Sequence, residues 1–406
     1  MKKVAFVGAS MRAAAFVNVL KKHFSNDYTI AAVMDIDPGK MKGFLKIHSL
    51  DVPTYTDFDK MCAEIAPDMV IVSTIDVAHA DYVIKCLDRK IACVSEKPLC
   101  ISAGQCKAIK AAQERNPEVF AVTSHNARYT PITLKMKELI TNGTIGKVMR
   151  MEYTEMLDRF HGKSYFQRWN SRRKNSNGLQ LHKSCHHFDK MNFLLDSYAT
   201  EVTSSGTLTA YGKDAPHKFR GENCHTCPHA SECPDFKKYN AELFDSEMYT
   251  PDMCIYSPEI DIEDNYCAGI KFANGVFCTY SLCAHAQYEG EIIIVEGETG
   301  RLEARRVYFR ERVINESNVH DDKLLWDTSL KLYRYRQSEC EEIEVFEGEG
   351  GHGGADLGIF KEIFSIPPSP TVPKLEEGIQ AVLTGCALVE SMQTGRKCMV
   401  QEQMAE

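Results

Sequence analysis

In Ser95-Glu96-Lys97-Pro98-Leu99 a lysine stands directly before a proline, well downstream of a glycine-bearing first strand. Proline drives the preceding residue into extended backbone. Lys97 is therefore expected in a loop past the end of a buried strand, where open α/β sheets bind ligands. A second group lies in Gly178-Leu179-Gln180-Leu181-His182-Lys183-Ser184-Cys185-His186-His187-Phe188-Asp189. Read as one helix, His182, His186 and Asp189 fall on one face, and Cys185, Phe188, Met191 and Leu195 on another. Such a pairing of stripes suits a helix lining a cleft. His186 titrates near neutrality unaided and suits a general base. Lys97 needs its pKa lowered by burial or by the cations Lys183 and His182. The sequence leaves the division of proton-transfer roles among these four residues open. A His-x-x-x-His pair also has metal-ligand spacing, but no carboxylate in helical register completes a site.

These groups need a scaffold. Val4–Val7, Ile30–Met34, Met69–Val72, Ile91–Val94 and Val119–Val122 are short, nearly continuous apolar runs, as strands buried on both faces require. Helical patterns such as Ala13–Phe24 and His79–Leu87 separate them, which predicts a parallel sheet with helices on both faces. The first strand runs into Gly8-Ala9-Ser10-Met11-Arg12-Ala13. Gly8 can make the tight turn of a dinucleotide fingerprint, and the helix near Met11 can aim its N-terminus at a pyrophosphate. Ser10 replaces the second glycine, and its hydroxyl could bond a phosphate. Asp35, ending the second strand, is placed to accept from a ribose, favouring NAD over its 2′-phosphorylated form. Ser73, Thr74, Asp76 and His79 follow the third strand, at the expected crevice.

Beyond residue 126 the pattern changes. Lys147–Leu157, Val202–Thr209, Ala268–Phe272, Val276–Leu282 and Glu291–Val295 read as strands, with a hairpin signal at Asn274-Gly275. The fold class expected is an α/β Rossmann domain over 1–125, then an α+β domain with an open, mostly antiparallel sheet over 126–372. A helix near Glu376–Met392 within 373–406 is expected to fold back onto the first domain. With 406 residues, 44% of them hydrophobic, the chain can build real cores. The net charge of −8 and the lack of a basic stripe speak against a nucleic-acid partner. No apolar run is long enough for a membrane span, and the start reads as strand, turn and helix rather than a signal peptide. The 16 cysteines, mostly single within apolar patterns, suit a reducing, cytoplasmic setting. Cys224, Cys227 and Cys233, with Cys254 as a fourth ligand, have the spacing of a structural zinc or an iron–sulfur site, or are reduced loop thiols.

Gly8, Asp35, Glu96-Lys97-Pro98, Asn126-Ala127-Arg128-Tyr129 and the Gly178–Asp189 stretch together resemble the glucose–fructose oxidoreductase/inositol dehydrogenase (Gfo/Idh/MocA) family over nearly the whole chain. The resemblance implies an NAD-dependent oxidoreductase moving a hydride between a sugar or polyol carbon and nicotinamide, with Lys97 beside both. In the family's helix motif an aspartate usually stands where His182 is, so this chain looks like a distinct branch associated with carbohydrate metabolism. Catalytic candidates are Lys97, His186, Lys183 and His182. Cofactor candidates are Gly8, Ser10, Met11, Arg12, Asp35, Ser73, Thr74, His79, Glu96, Lys97 and Asn126. Substrate candidates are Arg128, Tyr153, Arg168, Trp169, Asp189 and His352, with the glycine-rich turn Gly348–Gly354 as a loop over the site. Some relatives use retained NAD for redox-neutral glycoside cleavage, and an idle NAD-bound sensor is a third reading. Family members usually form homo-oligomers through the open sheet.

Overall fold

The computed structural model describes residues 1–238, 249–314, 320–346, 348 and 351–404. Six strands form the first sheet: β1 (Lys2–Val7), β2 (Tyr28–Met34), β3 (Thr54–Tyr55), β4 (Met69–Val72), β5 (Ala92–Ser95) and β6 (Ala121–Thr123). Their order is β3-β2-β1-β4-β5-β6, and every pair is parallel. The winding reverses between β1 and β4, the position where doubly wound sheets open a crevice for ligands. Strand β4 is buried along its whole length, which explains its unbroken apolar sequence.

Helices α1 (Met11–His23), α2 (Pro38–His48), α3 (Phe58–Ile65), α4 (Asp76–Asp88) and α5 (Ala103–Arg115) connect these strands. Their starts follow from the sequence: Ser10, Asp37, Asp57 and Ser102 each accept a hydrogen bond from a first-turn amide. Helix α6 (Pro131–Thr141) leads to the second sheet, built from β7 (Val148–Asp158), β8 (Ala199–Thr207), β9 (Asn265–Phe272), β10 (Phe277–Ala286), β11 (Glu289–Gly297), β12 (Gly300–Ile314), β13 (His320–Arg334), β14 (Cys340–Ile343) and β15 (Cys398–Met399). The order is β14-β13-β12-β11-β7-β10-β9-β8-β15. All its pairings are antiparallel except β7 with β10. On β9, buried and less buried residues alternate, as expected where one face of the sheet is open. Asn274-Gly275 joins β9 to β10, with Gly275 at φ +89°.

Five helices lie between strands of this sheet along the chain: α7 (Arg159–Phe166), α8 (Arg173–Ser176), α9 (Leu179–His182), α10 (Cys185–Leu195) and, late in the chain, α11 (Ala355–Phe364). The stretch read as one helix is therefore two. Lys183 and Ser184 break it, so His182 ends α9 while His186 and Asp189 ride on α10. Helix α11 packs on α1, with the Phe16 and Phe360 rings 4.4 Å apart between centroids. A last helix, α12 (Leu375–Thr394), lies against β8 and also reaches α5 and β6. Gly395 at φ +66° stops it. Among the described residues no helix is long and apolar enough to cross a membrane.

Candidate active site

Gly8 closes the turn after β1 at φ +101°, and a Cβ there would lie 2.5 Å from the Ser73 carbonyl oxygen. Only glycine lets β1 and the end of β4 approach so closely. The Ser73 hydroxyl donates to the Gly8 carbonyl, locking the two loops together. The Ser10 hydroxyl caps α1 by accepting from the Ala13 amide, so it serves the helix start. Met11 stands exposed beside it. The Asp35 carboxylate accepts from the Ala9 amide at 2.8 Å and pairs with Lys40 at 3.1 Å. It thus shapes the glycine turn as well as standing at the end of β2.

Arg12, on the first turn of α1, pairs with Glu96 at 3.0 Å and Asp356 at 3.2 Å. Asp356 also accepts from the Asn126 side-chain Nδ2 at 2.7 Å and bonds His352 at 2.8 Å. Burial works to raise the Asp356 carboxyl, but the His352 bond and the Arg12 charge outweigh it and hold Asp356 far below the usual carboxylate range. Arg12, Asn126 and His352 therefore meet on Asp356, with Glu96 on the other side of Arg12, and the sequence reading missed Asp356. Of the glycine-rich turn Gly348–Gly354, residues 349 and 350 lie outside the described residues.

The Lys97 amine donates to the His182 carbonyl at 2.8 Å. The Lys97–Pro98 peptide is cis. Burial lowers the Lys97 pKa, with partial opposition from Cys185, Asp76 and Glu96. The His182 ring bonds Asp76, Nδ1 to Oδ2, at 2.6 Å. Burial raises Asp76 to about 7, and burial with the charges of Lys97 and Arg168 drives His182 well below its ordinary value. One proton is thus held between a carboxyl and an imidazole. Trp169 stands edge-on to the His182 ring at 5.4 Å, and the Arg168 guanidinium lies over Tyr165 at 5.3 Å. His186 is kept neutral by burial, with the Lys97 charge adding to the effect, and its buried Nδ1 has no hydrogen-bond partner. His79 bridges the Pro98 and Thr74 carbonyls and so ties the loop after β5 to the end of β4. The Thr74 hydroxyl donates locally to the Ile75 carbonyl.

Several expected residues lie elsewhere. Lys183 is engaged by Glu155 at 3.0 Å and held protonated despite burial, so it is no base. Arg128 and Asp189, read as substrate contacts, clasp each other through two 2.6 Å bonds in the interior. Tyr153 is buried, donates to Glu291 and packs on His187, which makes it a core residue. Cys224, Cys227, Cys233 and Cys254 line one small cavity, yet among the described residues no three His, Cys, Asp or Glu side chains are arranged to hold one metal ion. The zinc reading of these cysteines is therefore unsupported.

The dinucleotide group expected of this fold fits the residues present. A glycine-only turn opens a capped helix, and an orphaned imidazole nitrogen waits beside a buried amine.

Residues 2–124 match the model described as "Oxidoreductase family, NAD-binding Rossmann fold", and residues 137–400 its companion, "Oxidoreductase family, C-terminal alpha/beta domain". The chain is 32% identical to "Putative oxidoreductase YteT" of Bacillus subtilis (strain 168), over 90% of this chain and 89% of that one. It is 28% identical to an inositol 2-dehydrogenase/D-chiro-inositol 3-dehydrogenase of Lactiplantibacillus plantarum, over 37% of this chain and 43% of that protein. Among solved structures, an Agrobacterium radiobacter oxidoreductase in complex with NAD+, L-tartaric acid and magnesium superposes with a TM-score of 0.65, at 15% identity, covering 98% of both chains.

Proposed function

Because the chain belongs to the Gfo/Idh/MocA oxidoreductase family, we propose that it moves a hydride between a sugar or polyol carbon and NAD, in the cleft around Lys97. The observation that carries this reading is the set of groups gathered there: a buried amine on the His182 carbonyl, an Asp76–His182 pair, and the unpartnered Nδ1 of His186. Gly8 and the start of α1 would hold the pyrophosphate. Asp35 would accept from the adenosine ribose, and Ser73 and Thr74 would border the crevice. When bound, nicotinamide supplies the hydride acceptor or donor.

The chain's own residues move the proton. A substrate hydroxyl in this cleft meets a lysine whose charge is disfavoured by burial, so the amine can take the hydroxyl proton. The His182 carbonyl aims the amine. Asp76 and His182 form a reservoir for the proton close to Lys97. His186, neutral at physiological pH, accepts a hydrogen bond from a neighbouring hydroxyl. Trp169 offers an apolar wall for a sugar ring, and Arg168 stands beside it.

A second reading rests on the same pair. Asp76–His182 adds an acid–base couple to the lysine and histidine that simple dehydrogenation uses, and redox-neutral glycoside cleavage through transient oxidation needs such a couple. One experiment separates the readings. The protein is mixed with NAD and panels of polyols, free sugars and aryl glycosides. Net NADH formation supports the dehydrogenase. Aglycone release without NADH supports cleavage. Binding of NAD with neither overturns both.

A further inference from the structure

Between β8 and β9 the described residues contain no helix and no strand. Loops this long without regular structure are uncommon in compact domains, and loop-rich segments need a staple of disulfides or metal. No disulfide is present: Cys224, Cys227, Cys233 and Cys254 are all free and only partly buried. Yet these four, from three separate turns, line a single cavity. An antiparallel bridge between Asn223 and Met253 brings them together. Through it the Cys224 amide donates to the Asp252 carbonyl at 2.8 Å and the Cys254 amide to the Glu222 carbonyl at 2.9 Å. The rest of the cavity is largely apolar, with Phe219 and Phe236 among its walls. His229 stacks on Phe219 with centroids 4.7 Å apart.

Two further details concern the sulfurs. The Lys237 backbone amide donates to the Cys224 sulfur, and such bonds stabilise thiolates in metal clusters. A Cβ on Gly221 would stand 3.0 Å from the Cys227 sulfur, so the backbone passes close over it. Among the described residues no three such side chains stand around one point as a lone ion requires. A cluster takes one thiolate at each of four corners and so accepts ligands spread around a cavity wall.

We infer that Cys224, Cys227, Cys233 and Cys254 cradle a [4Fe–4S] cluster that staples the segment between β8 and β9. The cluster enters preformed. Four bonds from iron to the donor's thiolates break, four bonds from iron to the cysteine sulfurs form, and the four cysteine protons pass to the released thiolates. No electron is gained or lost. The role is structural: the cluster ties the turns carrying Cys224, Cys227 and Cys233 to the turn at Cys254, beside the part of the segment that Tyr211, Ile255 and Tyr256 already anchor in the core.

The test uses the full chain, purified without oxygen, before and after incubation with a preformed [4Fe–4S] thiolate complex. After desalting, about four irons and about four acid-labile sulfides per chain are expected, with thiolate-to-iron charge-transfer absorption and a rise in Tm over the unloaded protein. Cys227→Ser and Cys254→Ser should retain less than half of that iron. Cys267→Ser, an exposed position of β9 that does not line the cavity, should retain all of it. Stoichiometric zinc in the isolated protein with no uptake of iron and sulfide would overturn the inference. So would wild-type protein that takes up neither, or equal losses in the Cys267 variant.

Discussion

Burial around Lys97 lowers the pKa of its amine and makes it readier than an exposed lysine to give up and take back a proton. Lys97→Met should keep the volume and remove the amine. Turnover is expected to fall by about 10²–10⁴-fold while NAD affinity, measured by titration, changes little. Equal losses in both would place Lys97 in binding rather than proton transfer. Asp76→Asn preserves shape but removes the shared proton. The wild-type rate should rise with pH through about 7, as Asp76 gives up its proton, and the variant should lose that limb along with about 10²-fold in rate. A uniformly lower profile with the limb intact would reduce Asp76 to packing. Lys97 was legible because a Glu-Lys-Pro run after a buried strand has few other uses. Asp76 was in view but without a role, because its partner lies 106 residues away. Asp356 was hidden in the same way, being 344 residues from Arg12. The clasp of Arg128 and Asp189 likewise joins residues 61 positions apart, and each residue alone reads as a polar contact waiting for a ligand.

Among the elements, the glycine turn after β1 is the most constrained. Gly8→Ala forces a Cβ against backbone atoms of Ser73 and Thr74 and a positive φ on a residue that resists it. A loss of about 1–3 kcal/mol in stability is expected, read by urea denaturation, together with weaker NAD binding. Retention of both would show that the turn can relax. Five strands of the first sheet were readable because each is a short apolar run bounded by polar turns; β3, only Thr54–Tyr55, carries no such run and was not read. The break between α9 and α10 was not, because helical periodicity runs across Lys183-Ser184 without a proline or glycine to mark it. The hairpin β12–β13 was also unread. Its strands carry charged residues paired across the ladder, such as Arg305 with Asp327, rather than the alternation of a half-buried strand.

At the scale of the whole molecule, buried charge sets the response to pH. His125, His182, His186 and His187 are all held below their ordinary 6.5, first by burial and then by neighbouring charges. Unfolding lets each take up a proton once the pH drops below about 6.5, so stability falls as the pH drops through that point. Asp76 and Glu155, raised to about 7 by burial, act with the opposite sign. They keep protons in the folded state between about 4 and 7 that the unfolded chain releases, and so offset part of the loss. Wild-type stability should decline from pH 7 to pH 5, and His187→Gln should reduce that slope by about one proton. A slope unchanged by the substitution would mean His187 is already charged in the fold. The alternation of strands and helices made the first sheet legible except for its short edge strand β3. The packing of α11 onto α1 was not, because it joins segments from opposite ends of the chain. The most direct trial of the proposed chemistry is a crystal structure with NAD+ bound. The nicotinamide ring is predicted against the Lys97 amine, within reach of the His182 and His186 side chains. A ring seated away from that amine, or a cleft that admits no dinucleotide, would contradict it.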